Sequence, residues 1–202
     1  MTYHAARTSG DEGAPLIFTF HGTGGDEHQF HELASQLVSG ASVVSPRGDV
    51  SEMGANRYFR RTGEGVYDMD DLWARASAMA EFMAAEIARV GASRVIALGY
   101  SNGANILAAV ALIRPELVDE VMLMHPLIPW SPEAQPGLAG KRVLITAGRR
   151  DPICPAPLTE AFEAYLSAQG ADVTTVWHDG GHELRQSELV AMQRFLGAEE
   201  TV

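Results

Sequence analysis

Residues 94–107 read RVIALGYSNGANIL, and this stretch decides the fold. An apolar, β-branched run gives way to an alanine-rich one, and Gly99, Ser101 and Gly103 form the pattern G-x-S-x-G between them. This pattern predicts a buried strand, a turn too tight for side chains at its glycines, and a helix after the serine. The serine would then stand at the carboxyl end of a sheet, where open α/β sheets bind ligands. The alternative is a purely structural turn with a solvated serine.

The same alternation of short β-rich runs and longer helical patterns continues along the chain. One apolar helical stripe runs over residues 72–90, and Gly91 ends it. Strands that alternate with helices predict an α/β fold with a mostly parallel central sheet and helices on both faces. Residues 3–7 are a candidate antiparallel edge strand. The other predicted strands are Leu16–Phe20, Ser42–Ser45, Arg94–Leu98, Glu120–Met124, Arg142–Ala147 and Asp172–Trp177.

The composition is typical of one globular domain. The chain has 202 residues, of which 46% are hydrophobic and 20% charged, and no linker or repeat divides it, so we expect a single domain over residues 1–202. Its 15 basic and 26 acidic residues give a net charge of −11, which argues against nucleic acid and membrane surfaces as partners. A single cysteine, Cys154, and the lack of a signal peptide or membrane-spanning stretch predict a cytoplasmic location.

A nucleophilic serine needs a histidine base and a carboxylate that orients the base. Both follow Ser101 in the order Asp, then His, which suits this kind of sheet. Asp151 follows one predicted strand in the loop AGRRDPICP, and His182 follows the next strand in HDGGHE. Asp179 competes for the role of the acid, but it lies too close to His182 in sequence to approach from a separate strand end. We therefore predict Ser101 as nucleophile, His182 as base and Asp151 as acid.

Acyl transfer also needs N–H groups that bind an oxyanion. The residue after the nucleophile, Asn102, offers one, and Thr23 in the loop HGTGGDE offers the other. A phosphate-binding loop is the alternative for this glycine-rich segment. Glu27 stands where G-x-G-x-x-G needs its last glycine, and the two neighbouring acids would repel phosphate. We therefore expect Thr23 and Asn102 to form an oxyanion hole.

Six motifs carry a resemblance to a known family. In chain order they are FHGTGGDE, SPRGD, YFRR, GYSNGAN, AGRRDP and GGHE. Together they resemble the small bacterial carboxylesterases of the phospholipase/carboxylesterase family, which are α/β-hydrolases related to acyl-protein thioesterases. The resemblance covers nearly the whole chain. It implies an α/β-hydrolase fold, the triad Ser101, His182 and Asp151, and oxyanion donors at Thr23 and Asn102.

This resemblance implies a serine carboxylesterase that works through an acyl-enzyme and needs no cofactor. Only residues 125–141 separate two later strands, and the four prolines in this segment prevent a helical cap. We therefore expect no lid domain and a preference for short-chain esters. A thioesterase or lysophospholipase with the same triad is the alternative enzyme, and a non-catalytic hydrolase-like binding module is the alternative class. We expect a small-molecule ester as the partner, and a homodimer stays open.

The substrate pocket is predicted from residues near the expected site: Phe59, Arg60, Leu127 and Ile153. Arg60 and its neighbour Arg61 would either bind an anionic substrate group or hold the long irregular stretch Pro46–Met69 through ion pairs, and both interpretations stay open.

Two other features invite a reactive or metal-binding interpretation. The histidines at positions 21, 28, 31, 178 and 182 have no acidic or cysteine partner at a spacing typical of metal sites, so we expect no metal. Cys154 lies three residues after Asp151, and we expect it to be buried and inert.

Overall fold

The computed structural model describes residues 3–197, in which helices cover both faces of one large sheet. The strands are β1 (Ala5–Thr8), β2 (Leu16–Phe20), β3 (Ser42–Pro46), β4 (Val50–Glu52), β5 (Ala55–Arg57), β6 (Arg61–Gly63), β7 (Val66–Tyr67), β8 (Val95–Tyr100), β9 (Glu120–Met124), β10 (Arg142–Gly148) and β11 (Asp172–His178). The α-helices are α1 (His31–Leu37), α2 (Met69–Val90), α3 (Asn102–Ile113), α4 (Ala156–Ala168) and α5 (Gln186–Gly197). Short 3₁₀ turns cover Pro115–Leu117 and Pro136–Leu138.

The central sheet has seven strands in the order β1-β3-β2-β8-β9-β10-β11. Strand β1 pairs antiparallel with β3, and every other neighbouring pair is parallel. The predicted mostly parallel α/β fold is therefore confirmed, including the antiparallel edge strand near residues 3–7.

The core consists of two apolar layers, one on each face of the sheet. In β2, Phe18 belongs to the layer that also contains residues of α2, α3 and α4, and Ile17 belongs to the opposite layer, which contains residues of α1 and α5. Both side chains are fully buried. This explains why β2 is apolar at consecutive positions, since parallel strands between two helical layers have no solvent face.

The stretch Pro46–Met69 differs from the prediction. It contains two antiparallel hairpins, β4–β5 and β6–β7, instead of irregular chain. Gly54 and Gly65 have φ values of +88° and +69°, which suit tight turns. The strands are only two or three residues long and mix polar with apolar residues, so no alternating pattern marks them in the sequence.

The predicted absence of a lid is confirmed for residues 3–197. Between β9 and β10 the chain forms only one 3₁₀ turn, at Pro136–Leu138. Within these residues, no helix combines the length and apolarity required to cross a membrane. The single domain over residues 1–202 stays a prediction.

Candidate active site

The backbone at Ser101 has a conformation that few residues other than glycine adopt. Its φ of +52° lies at the turn between β8 and α3. A Cβ atom on Gly99 would lie 2.6 Å from the carbonyl oxygen of Gly103, and one on Gly103 would lie 2.3 Å from that of Phe20. Both glycines are therefore required for the turn, as the pattern predicts, and the turn places Ser101 at the carboxyl end of the sheet.

Ser101, His182 and Asp151 form one chain of hydrogen-bonding contacts. The Oγ atom of Ser101 lies 2.8 Å from Nε2 of His182, and Nδ1 of His182 lies 2.7 Å from Oδ2 of Asp151. Since the ionised carboxylate only accepts, His182 donates through Nδ1 and turns the lone pair of Nε2 toward the serine hydroxyl. This arrangement allows the serine proton to pass to the histidine.

Asp151 is held firmly at the end of this chain. Its Oδ1 atom accepts the backbone N–H groups of Ile153 at 2.8 Å and Cys154 at 2.9 Å. Burial disfavours the ionised carboxylate, but the Cys154 N–H, the two histidines that contact it and the Ile153 N–H outweigh burial and lower its pKa. Asp179, the competing acid, is exposed, and its backbone carbonyl accepts a hydrogen bond from Arg150.

A cavity of about 340 Å³ opens beside Ser101. The predicted oxyanion residues Thr23 and Asn102 line it, and so do two predicted pocket residues, Leu127 and Ile153. Arg61, for which substrate binding was one of two open interpretations, also lines it. Other lining residues were not predicted from the sequence: Arg57, Glu64, Gly65, Tyr67, Tyr100, Asn105 and Cys154.

Phe59 and Arg60 do not line this cavity, so their assignment to the pocket is wrong. Phe59 is fully buried, and its ring packs edge-on against Tyr67 at 4.8 Å between centroids. The side chain of Arg60 is exposed and lies 3.2 Å from Asp68 and 3.5 Å from Asp71. Arg60 therefore holds the hairpin region against the start of α2, one of its two predicted roles.

Two other arginines face the cavity. The side chain of Arg57 is only 5% exposed, and it donates to Oγ1 of Thr23 at 2.8 Å. Arg61 donates to Glu52 at 2.9 Å. Burial, together with the charge of Arg61, lowers the pKa of Arg57. The site thus contains a buried guanidinium group that was not predicted from the sequence.

A second buried cluster adjoins Asp151 and was also missed. His125, which follows β9, lies 2.9 Å from Oδ2 of Asp151 through Nδ1 and 3.1 Å from Oε1 of Glu188 through Nε2. Glu188 is a fully buried carboxylate on α5. A signal for it existed, because Glu188 occupies the buried face that α5 forms with Met192, Phe195 and Leu196.

This cluster also resembles a set of metal ligands. The ligand atoms of His125, His178 and Glu188 lie within 4.8 Å of one another, and so do those of His125, Asp151 and His182. The backbone N–H of Gly180 donates to Nδ1 of His178 at 3.0 Å. This hydrogen bond leaves the proton of His178 on Nε2, the nitrogen that would face an ion. The arrangement of His125, His178 and Glu188 therefore fits hydrogen bonds from the histidines to Glu188 better than metal ligation.

Cys154 and the histidines near the start of the chain have structural roles. Cys154 is buried, and burial raises the pKa of its thiol well above the ordinary value, which agrees with an inert role. His21 contacts the carbonyl of Gly22 through Nδ1 and accepts from the N–H of Gly48 through Nε2. The two ring nitrogens of His31 contact side-chain hydroxyls. These two histidines serve the packing of the loops around the site.

The chain matches a known hydrolase family and is similar to several known proteins. Residues 51–186 match the family model described as "Dienelactone hydrolase family". The chain is 39% identical over 175 residues to "Putative hydrolase MhqD" of Bacillus subtilis strain 168, which covers 86% of this chain and 88% of that protein. Among solved structures it is similar to the protein Atu2452 of unknown function from Agrobacterium tumefaciens C58, with 54% identity, a TM-score of 0.92, and coverage of 97% and 96%. It is also similar to the Bacillus cereus carboxylesterase, with 35% identity, a TM-score of 0.91, and coverage of 97% and 94%.

Proposed function

Because the chain belongs to the dienelactone hydrolase family, we propose that it is a serine carboxylesterase with Ser101, His182 and Asp151 as its catalytic triad. Hydrolase chemistry on an α/β-hydrolase fold is common to this family and to the similar carboxylesterase. The observation that carries the finer proposal is the contact chain from Ser101 through His182 to Asp151. A merely structural serine turn needs neither an aligned histidine nor a buried carboxylate.

The proposed reaction begins with attack of Ser101 Oγ on the ester carbonyl while His182 Nε2 accepts the serine proton. Asp151 orients His182 and stabilises the imidazolium that forms. The N–H groups of Thr23 and Asn102 bind the oxyanion. His182 then protonates the leaving alcohol, and a water molecule repeats the cycle on the acyl-enzyme to release the acid. No cofactor takes part in these steps.

We propose that the substrates are small esters with short acyl chains. The cavity measures about 340 Å³, and Leu127 and Ile153 are among the few aliphatic side chains that line it. Each substrate methylene that packs against apolar side chains contributes about 0.8 kcal/mol to the binding free energy. A methylene that stays in water contributes nothing of this kind. Since residues 3–197 form no lid, a long acyl chain would extend into water.

We further propose that the acyl part of a preferred substrate carries a negative charge. Arg57 and Arg61 both line the cavity, and Arg57 is nearly buried. A guanidinium group binds a carboxylate through two parallel hydrogen bonds, which gives direction as well as charge. Both arginines face Glu52, Arg57 at 3.5 Å and Arg61 at 2.9 Å. Arg57 also supports Thr23, whereas Arg61 contacts Glu52 through Nε, so the terminal N–H groups of Arg61 are the ones proposed to bind a substrate carboxylate.

The subfamily, the cellular location and the partner of the protein are proposed from its sequence. The motif set favours a subgroup close to the phospholipase/carboxylesterase family, and the single cysteine favours a cytoplasmic location. The acidic net charge favours a small-molecule ester over nucleic acid or a membrane as partner. A homodimer is compatible with all of these features.

Labelling with a fluorophosphonate tests the proposed nucleophile. We expect the adduct on the peptide that contains Ser101, and we expect Ser101→Ala to abolish both labelling and hydrolysis of para-nitrophenyl acetate. Ser77→Ala is the matched control, because Ser77 is exposed on α2 and donates only to the Trp73 carbonyl. Absent labelling would indicate a binding module. Faster turnover of palmitoyl thioesters or lysophospholipids than of short esters would favour the alternative enzymes.

A further inference from the structure

Oδ2 of Asp151 contacts two histidines at once. His182 lies 2.7 Å away through Nδ1 and His125 lies 2.9 Å away, also through Nδ1. The ring centroids of the two histidines are 5.2 Å apart. The side chains of His125 and Asp151 are completely buried, so bulk water does not screen their interaction. The reaction proposed above uses His182 and gives no role to His125.

The donors around Glu188 indicate its protonation state. The hydroxyl of Thr146 donates to Oε1 at 2.6 Å, and the backbone N–H of Arg185 donates to Oε2 at 2.7 Å. Nε2 of His178, which carries that ring's proton, lies 3.4 Å from Oε2. Burial favours the neutral acid, but the hydrogen bonds from His125, Thr146 and Arg185 outweigh it and lower the pKa of Glu188. Glu188 is therefore an ionised, buried carboxylate.

His125 consequently faces a carboxylate at each ring nitrogen. Nδ1 faces Asp151, and Nε2 faces Glu188. A neutral imidazole carries one N–H, so it would donate to one carboxylate and turn a lone pair toward the other. An imidazolium donates to both. Burial opposes the charge, but Glu188 and Asp151 outweigh burial and raise the pKa of His125.

The other titratable groups around His125 carry no negative charge that could balance its imidazolium. Tyr100 lies edge-on at 5.9 Å between centroids, and Cys154 donates its S–H to the His125 carbonyl at 3.2 Å. Burial raises the pKa of Tyr100 to about 12 and that of Cys154 further, so both are neutral. Nε2 of His178 lies 3.4 Å from both Nε2 of His125 and Oε2 of Glu188, and its N–H donates toward Glu188. His182 donates to Asp151 through Nδ1. Asp151 and Glu188 are therefore the anions that contact the His125 ring directly.

We propose that His125 is a positioning residue that is held as an imidazolium between Asp151 and Glu188, fixes the Asp151 carboxylate and offsets part of its charge. The expected consequence is a kcat/KM profile whose acid limb lies at lower pH than it would without the charge on His125. Glu188 contacts the opposite ring nitrogen of His125 from Asp151, and its negative charge keeps His125 protonated. The catalytic consequence rests on the proposed function, whereas the charge of His125 does not.

Glu188→Gln separates charge from packing. The glutamine side chain has nearly the same size and can donate to Nε2 of a neutral His125, which keeps its Nδ1–H on Asp151. We expect the acid limb of the kcat/KM profile to move up by about one pH unit, because a positive charge about 5 Å from His182 is lost. The plateau at high pH should stay within about threefold of the wild-type value, since the triad contacts are retained. A lower kcat/KM plateau with an unchanged acid limb would show that the cluster acts only through packing, and would overturn the proposal.

Glu183→Gln is the matched control, because it also removes a carboxylate close to His182. Glu183 is exposed and binds Arg185 and the N–H of Gly181. Loss of a negative charge near His182 favours the neutral base, so the acid limb should stay in place or move down. An upward shift in this variant equal to that of Glu188→Gln would contradict the proposal. If Glu188→Gln fails to fold, His125→Gln removes the same positive charge and must also move the acid limb up, since it leaves the Glu188 carboxylate without its counter-charge.

Nuclear magnetic resonance of the ¹⁵N-histidine-labelled protein tests the charge without a substrate. At pH 7 we expect both ring nitrogens of His125 to give protonated-type signals in the wild type, and one to become unprotonated in Glu188→Gln. A neutral His125 in the wild type would overturn the proposal, whatever the activity. If no ester is hydrolysed, the proposed function fails, and these spectra together with the titration of His182 still decide the inference.

Discussion

A methyl group on the Cα atom of Gly99 would lie 2.6 Å from the carbonyl oxygen of Gly103. The contact is with backbone, so a side-chain rotation does not relieve it. We expect Gly99→Ala to lower the free energy of unfolding by about 1–3 kcal/mol, measured by urea denaturation. Gly197→Ala is the control, because its added Cβ meets nothing within 4 Å and alanine favours a helix. Equal stability of the two variants would show that the serine turn tolerates side chains.

The choice of acid is tested by comparing two aspartates on neighbouring loops. Asp151→Asn should lower kcat by a factor of about 10⁴, because an amide no longer selects the His182 tautomer that points a lone pair at Ser101. Asp179→Asn should change kcat by less than about threefold, since the side chain of Asp179 is exposed and its hydrogen bond to Arg150 uses the backbone carbonyl. The opposite ranking in steady-state assays would assign the acid to Asp179.

The His125 cluster predicts a pH dependence of stability. The pKa of His125 is raised above 6.5, so its contribution is complete below about pH 6.5 and is lost as the pH rises through the raised value. The pKa values of Asp151 and Glu188 are lowered, so their contributions are present above about pH 4.5 and are lost as the pH falls. The cluster therefore stabilises the fold most between about pH 4.5 and 6.5.

Glu188→Gln tests whether the cluster stabilises the fold most in this pH range. We expect it to lower the free energy of unfolding by about 1–3 kcal/mol at pH 6, because a charged hydrogen-bond partner of His125 is lost. The difference from the wild type should be smaller at pH 9 than at pH 6, because the contribution of His125 is lost as the pH rises through its raised pKa. Urea denaturation at the two pH values measures it. A difference that is constant or grows with pH would contradict a charged His125.

The strands and the serine turn are predictable because their signals are local. Consecutive apolar residues mark β2 and β9 as buried on both sides, and the two glycines around Ser101 mark a turn without room for side chains. The positions of Asp151 and His182 follow from one further rule, that parallel strands bring their following loops to the same edge.

The pocket is less predictable because it depends on how the two hairpins pack. Phe59, Arg60 and Arg61 are adjacent in sequence, yet they lie in the core, at the surface and at the cavity respectively. No periodic pattern distinguishes them in strands this short. Glu188 is a different case, because a charged residue on the apolar stripe of α5 is visible in the sequence and indicates a buried partner.

The proposed charge preference is tested with two esters that share a four-carbon acyl chain. We expect kcat/KM for monoethyl succinate to exceed that for ethyl butyrate, because Arg61 can bind the free carboxylate. Arg61→Gln should lower the succinate value by about tenfold and the butyrate value by less than about threefold. Arg60→Gln is the control, since Arg60 faces Asp68 and Asp71 away from the cavity. Equal losses for both esters would indicate a purely structural Arg61.

The lidless cavity determines the expected dependence on acyl length. Across a series of para-nitrophenyl esters, we expect kcat/KM to peak at roughly two to six acyl carbons, because apolar wall is available only for the first few methylenes. Leu127 and Ile153 are aliphatic parts of that wall, so Ile153→Ala should weaken discrimination between butyrate and acetate by a factor of about four per lost methylene contact.

From the same geometry we predict no activation at an interface between lipid and water. An enzyme without a lid has no closed state that such an interface could open, so the rate should follow dissolved substrate and stay constant above the critical micelle concentration. Assays with butyrate and palmitate esters on both sides of that concentration measure this. Ser77→Ala serves again as the control, because it changes an exposed position on α2. Rates that climb steadily to palmitate, or that rise sharply with micelles, would contradict the short-chain assignment and favour a lysophospholipase, since only a long covered groove provides apolar wall for so many methylenes.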